Sequence, residues 1–175
     1  MKYCFPLLFP IIIIISAMIS TLSACGYRFA GEGNFPSDIK NIRVAMLENR
    51  TAETGAETIF TNDLITEFTL NGSLAPDSAK GSGGILSGII RFLNIETVSR
   101  RGSHIALERQ VTVSADMALQ DADGNEVWSA KNVRVRETYA VVTDKLATEH
   151  NRREAVSAIS ERMAEMVYDR LSNHF

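Results

Sequence analysis

LERQVTVSADMALQ (residues 107–120) alternates with the period of a β-strand. Leu107, Val111, Val113, Ala115, Met117 and Leu119 share one face, broken only by Arg109, and Glu108, Gln110, Thr112, Ser114, Asp116 and Gln120 share the other. Such alternation marks a strand with one face in a core and one in a polar setting. DADGN (121–125) follows, and Asp-Gly between alternating runs is a strong hairpin signal. EVWSAKNVRVRETYAVV (126–142) is the returning strand: Val127, Val133, Val135 and Tyr139 lie on one register, Trp128, Arg134 and Arg136 on the other. Upstream, ILSGIIRFLNIETV (85–98) is apolar on both registers, which predicts burial on both sides for part of its length. These three runs predict an antiparallel meander.

Helices flank it. Between 52 and 72, Ala56, Ile59, Phe60, Leu64 and Phe68 recur at spacings of three and four, an amphipathic helix ending near Asn71-Gly72. Thr51, or Thr54 with Glu57 three residues on, is the expected N-cap. Between 143 and 175, Ala155, Val156, Ile159, Met163, Met166, Val167 and Leu171 form one stripe, with charged residues on the remaining faces. IKNIRVAML (39–47) alternates and reads as a short first strand. The predicted fold class is therefore α+β: a two-layer sandwich in the order β-α-β-β-β-α, with an about four-stranded, mostly antiparallel sheet and two helices on one face.

The amino terminus reads differently. Lys2 precedes an apolar run from Phe5 to Ile19 and a small, weakly polar stretch to Ala24. That is the layout of a secretory signal peptide. Pro6 and Pro10 argue against an uncut spanning helix. Leu22-Ser23-Ala24-Cys25 is similar to a bacterial lipobox, in which small residues let the backbone lie close in a peptidase cleft and the thiol takes a diacylglycerol. The expected organisation is a cleaved lipoprotein signal peptide over 1–24, a lipidated tether over 25–38 starting at Cys25, and a single α+β domain over 39–175. One acyl chain holds a membrane marginally, whereas several hold it durably. Gly26, where an aspartate resembles an inner-membrane retention signal, favours the outer membrane with the domain facing the periplasm. Cys4 leaves with the leader and Cys25 carries lipid, so the two cysteines form no disulfide.

The chain has 18 basic and 21 acidic residues, a net charge of −3. That is no nucleic-acid footprint. His104, His150 and His174 have no metal-ligand spacing, and Ser103 beside His104 lacks an orienting partner. Asp121 and Asp123 are turn formers, without the remaining ligands of a calcium loop. The expectation is a non-enzyme without metal or cofactor. The residues that invite a ligand are basic: Arg100 and Arg101 at a strand tip, and Lys131, Arg134 and Arg136 along the last strand. Guanidinium groups bind phosphate in bidentate fashion, and exposed charges also protect strand edges.

CGYRFAG (25–31) and FPSDIKNIRVAMLENRTAETGAE (35–57) together resemble the LPS-assembly lipoprotein LptE family. The likeness is carried by Cys25-Gly26-Tyr27 with Phe29, Pro36, the Ile42–Val44 strand, Asn49 and Thr51 before the first helix, and Glu57 inside it. Leu86-Ser87-Gly88-Ile89 is similar to the family's second strand, Asp123-Gly124 with Val127-Trp128 to its hairpin, and Tyr139 and Glu154-Ala155 to its close. Gly83-Gly84 departs from the Ala-Asp pair of many relatives. The resemblance implies a non-enzymatic lipoprotein that plugs the outer-membrane β-barrel LptD, helps assemble it and binds lipopolysaccharide. It makes Arg100, Arg101, Lys131, Arg134 and Arg136 candidates for lipid A phosphate contacts. The alternative is an auxiliary lipoprotein of another envelope lipid-transport system.

Overall fold

The computed structural model describes residues 35–75, 83–102 and 105–173. The leader, the lipobox, Cys25 and most of the expected tether lie outside these residues, as do Ser103, His104 and His174. Every described residue belongs to one unit, Gly31–Phe175.

The elements are a single 3₁₀ turn (Pro36–Asp38), β1 (Ile42–Val44), β2 (Glu48–Asn49), α1 (Ala56–Leu70), β3 (Gly84–Arg101), β4 (Ile105–Gln120), β5 (Glu126–Ala140) and α2 (Lys145–Ser172). The sheet has five strands. β1, β3, β4 and β5 follow in that order, and β2 joins β3 on the same edge as β1. β1 and β2 run parallel to β3, while the long β3-β4-β5 meander is antiparallel. This is the expected α+β sandwich with one strand more. The extra strand arises because the expected run 39–47 is interrupted. Leu47 is buried and turns its amide to the Thr61 hydroxyl of α1 (3.0 Å), so pairing with β3 resumes only at Glu48.

One core cluster joins sheet and helices. Leu86 and Ile90 of β3, the odd-numbered residues Val111 to Leu119 of β4, and Val133, Val135 and Tyr139 of β5 meet Phe60, Leu64 and Phe68 of α1 and Ile159, Met163, Val167 and Leu171 of α2. Burying side chains of this size removes about 1.5–3 kcal/mol of unfavourable hydration each. The helices run side by side in the same direction. Arg152, two turns into α2, bonds Glu53 just before α1 (2.9 Å), and Phe68 packs edge-on against Tyr168 (centroids 5.2 Å apart) near the ends of both. Phe35 completes that aromatic group, 6.1 Å from both rings, so the chain is already in the core four residues before Ile39.

The first helix starts later than its threonines predict. Asn49 holds the preceding loop instead. Its Nδ2 donates to Glu53 O (2.7 Å) and to the Glu57 carboxylate (2.8 Å), while its Oδ1 accepts from the Thr51 amide and hydroxyl. With Thr51 committed to that turn, α1 opens at Ala56 behind Gly55. Gly55 takes φ +87°, a left-handed conformation open to glycine, and offers no side-chain cap.

Two bulges correct the reading of β3 and β5. Trp128 is not on the face of Arg134 and Arg136; it is buried in the core opposite Leu119. Lys131 and Asn132 together oppose the single residue Asp116, so the alternation changes phase between Ala130 and Val133. β3 does the same at Arg91. Ile90 pairs with Ala115 and Phe92 with Ser114, so the core set passes from Leu86 and Ile90 to Leu93 and Ile95. The apolar residues on both registers therefore mark a phase change, not burial on both sides.

Candidate functional site

The sheet face away from the helices is polar, and its rows follow from the register. Phe92, Ser114 and Arg134 form one row; Asn94, Thr112 and Arg136 the next; Glu96, Gln110 and Thr138 the third. The middle positions are small, and neighbouring side chains lie over them, leaving Ser114 5% and Thr112 7% exposed. Long side chains on the flanking strands therefore stand around a low polar floor.

Asp116 organises this face. It lies on regular β4 opposite the extra residue of β5, and the extra residue of β3, Arg91, comes next along the sheet, between the partners of Ala115 and Ser114. Its Oδ1 accepts the Asn132 amide (2.8 Å) and its Oδ2 accepts Arg91 Nε (2.6 Å), so one carboxylate holds both bulges. Asn132 adopts φ +55°, which a short polar side chain tolerates. Its Oδ1 in turn accepts from Ser114 Oγ (2.7 Å) and Arg134 Nη2 (3.2 Å). The Asn132 amide, and after it the Arg91 guanidinium, hold the Asp116 carboxyl below the usual range, so it stays ionised. Beside this network is a groove of about 490 Å³ whose charged lining is Arg91, Lys131, Asp116, Glu48 and Glu126.

The expected basic residues fall into two groups. Lys131, Arg134 and Arg136 share this face, joined by Arg91. Arg100 and Arg101 pair with Ala106 and Ile105 at the exposed hairpin tip. From Thr112 to Ala106 the strand rises about 20 Å, so the tip pair is a separate site. Among the described residues no ion pair engages Arg100, Arg101, Lys131, Arg134 or Arg136. Their charges face outward, available to an anion. Arg91, Asp116 and Asn132 were missed by the sequence reading. The available signal was the apolar pattern changing phase on both strands that flank Asp116.

Other motif residues are scaffold. Gly88 lies where a Cβ would come 2.4 Å from Met117 Sδ and 2.8 Å from Asp116 O, so only glycine fits this crossing. Trp128 and Tyr139 are core, and Asp121 closes the β4–β5 turn by accepting the amides of Asp123 and Asn125 (2.9 Å each). His150 pairs with Glu154 on an exposed helix face. No group of metal-ligating side chains occurs among the described residues, and no described helix is long and apolar enough to cross a membrane.

No curated protein sequence matches the chain. Among the solved structures that share its fold are three lipoproteins. Rare lipoprotein B from Shewanella oneidensis is 16% identical, with a TM-score of 0.57 over 77% of this chain and 95% of that one. Uncharacterized lipoprotein B from Nitrosomonas europaea is 14% identical, with a TM-score of 0.58 over 85% and 92%. A minor lipoprotein from Acinetobacter baumannii is 14% identical, with a TM-score of 0.51 over 78% and 93%. The profile of the family described as LptE, lipopolysaccharide-assembly, matches residues 39–171, which takes in every strand and helix described above except the last residue of α2. The chain belongs to the LptE lipopolysaccharide-assembly family.

Proposed function

We propose that this protein is an outer-membrane lipoprotein, anchored through acylated Cys25 after removal of residues 1–24, that plugs an LptD-type β-barrel from the periplasmic side, binds lipopolysaccharide and assists its passage to the outer leaflet. Residues 25–34 serve as the tether, and the working domain begins at Phe35, which is part of the core. The observation that carries the reading is the polar sheet face with Arg134, Arg136, Lys131 and Arg91 around small Ser114 and Thr112. A water-lined barrel interior suits such a face. Guanidinium groups held on strands can meet the phosphates of a lipid A head group in bidentate geometry.

Length supports the plug. The 18 residues of β3 span about 60 Å. The chain enters the fold at Phe35, near the Gly84 end, and Arg100 and Arg101 lie at the other. The apolar band of an outer-membrane barrel is about 25 Å tall. A domain tethered at one leaflet and aligned with such a pore reaches well along it, and carries the tip arginines toward the far headgroups. The protein works by shape and charge, without a reacting side chain.

Depletion in the native host tests this. Loss of surface lipopolysaccharide together with misassembly of the barrel is expected. Normal surface lipopolysaccharide with a failure of another lipid-transport route would assign the chain to that route instead.

A further inference from the structure

We propose that the outer edge of β3 between Phe92 and Thr97 is a strand-addition site for a short extended segment of the barrel partner, an inference that rests on the plug reading above. On that side β3 is paired with β1 at Gly84–Leu86 and with β2 at Ile89–Ile90. The last bond is from the Arg50 amide to Ile90 O (2.9 Å). Beyond it, no strand among the described residues covers the edge. From Phe92 to Thr97 the register with β4 is unbroken, and irregularities bound this stretch at both ends. It has the length of an ordinary strand, with backbone amides and carbonyls turned outward at alternate positions.

The opposite edge of the sheet is treated differently. On β5, Arg162 Nη1 donates to Arg136 O (3.4 Å) and Asn151 Nδ2 to Ala140 O (3.0 Å), so α2 closes the edge with side chains. An edge blocked on one side and left regular on the other is a template for an added strand. Phe92 is 46% exposed beside it, and Leu93 and Ile95 are only partly buried on its helix side.

Geometry selects the occupant. This chain enters the fold at Phe35, against Phe68 and Tyr168, at the Gly84 end. Residues 25–34 extend at most about 35 Å, and about 26 Å separates Gly84 from Phe92, so most of that length is used before the edge begins. A second copy paired antiparallel over 92–97 would drive its own Val98–Arg101 into the place held by β2 and Arg50. A short segment from another protein meets neither obstacle. It should be apolar where it flanks Leu93 and Ile95, and acidic toward Arg100 and Arg101.

Residue-resolved hydrogen exchange tests the proposal on the full chain, alone and as the complex isolated from outer membranes. Alternate amides within 92–97 should exchange fast in the isolated chain and about tenfold slower or more in the complex. Equal rates in both, with a barrel present, overturn the proposal and leave the plug reading intact. Slow exchange in the isolated chain also overturns it: if concentration-dependent it means self-pairing, and if not it means cover by the chain itself. Absence of any barrel removes the plug reading and this proposal with it.

Discussion

Replacing Asp116 with alanine should loosen the polar face and leave the hydrophobic core in place. The carboxylate receives two hydrogen bonds, from the Asn132 amide at 2.8 Å and Arg91 Nε at 2.6 Å. A bond to an ionised acceptor contributes about 1.5–3 kcal/mol. The amide bond deserves that range because Asp116 is only 24% exposed, whereas Arg91 is 48% exposed and its pairing counts for about 0–1 kcal/mol. Asp116→Ala should therefore cost about 2–3 kcal/mol, a fall in Tm of about 5–10 °C for a domain of this size. The assay is thermal unfolding by circular dichroism across pH. The native carboxyl titrates below its unfolded value of about 3.9. Its contribution is thus complete above that pH and is lost as pH falls through the native pKa. The gap between parent and variant should be constant near neutrality and shrink below about pH 4. A variant melting within about 2 °C of the parent at pH 7, or a gap that widens in acid, would refute the role given to Asp116.

Three further outcomes follow from named contacts. Gly88→Ala should lower stability by about 1–3 kcal/mol through overpacking against Met117 Sδ and Asp116 O, read as a lower denaturant midpoint at unchanged m. Arg152→Ala, which removes an 18% exposed guanidinium from Glu53 and Glu149, should cost about 1–3 kcal/mol in the same measurement. Because Arg152 holds the Glu149 carboxyl low, that effect should fade as acid protonates it. Arg136→Ala, at an exposed position, should change stability by no more than about 0.5 kcal/mol while weakening lipopolysaccharide binding in titration calorimetry, the loss being larger at low salt.

The meander was legible because its middle strand is regular. β4 keeps one phase from Val111 to Leu119, so its core face is plain in the sequence. β3 and β5 each carry an added residue at Arg91 and at Lys131–Asn132, and alternation alone cannot place side chains across such a step. Alternation alone therefore puts Trp128 on the face of Arg134 and Arg136 and gives no sign of Arg91. The first helix was legible from its apolar stripe, but not its start, since Thr51 is bound by Asn49 before it can cap. Arg134 and Arg136 could be placed on one face from spacing. Their distance from Arg100 and Arg101 could not, because it depends on the β4–β5 register, which sets Arg136 opposite Thr112, six residues from Ala106, the partner of Arg100. The short family motifs turned out to be mechanical. Asn49, Thr51 and Glu57 knot a loop, Gly88 permits a close crossing, and Trp128 and Tyr139 fill the core.

The most direct test of the account is to isolate the full-length chain from native outer membranes in mild detergent and to determine, by mass spectrometry, what accompanies it and what its amino terminus carries. An acylated Cys25 and an equimolar outer-membrane β-barrel are expected. An unmodified terminus on a freely soluble chain, or recovery with an inner-membrane transporter alone, would contradict it.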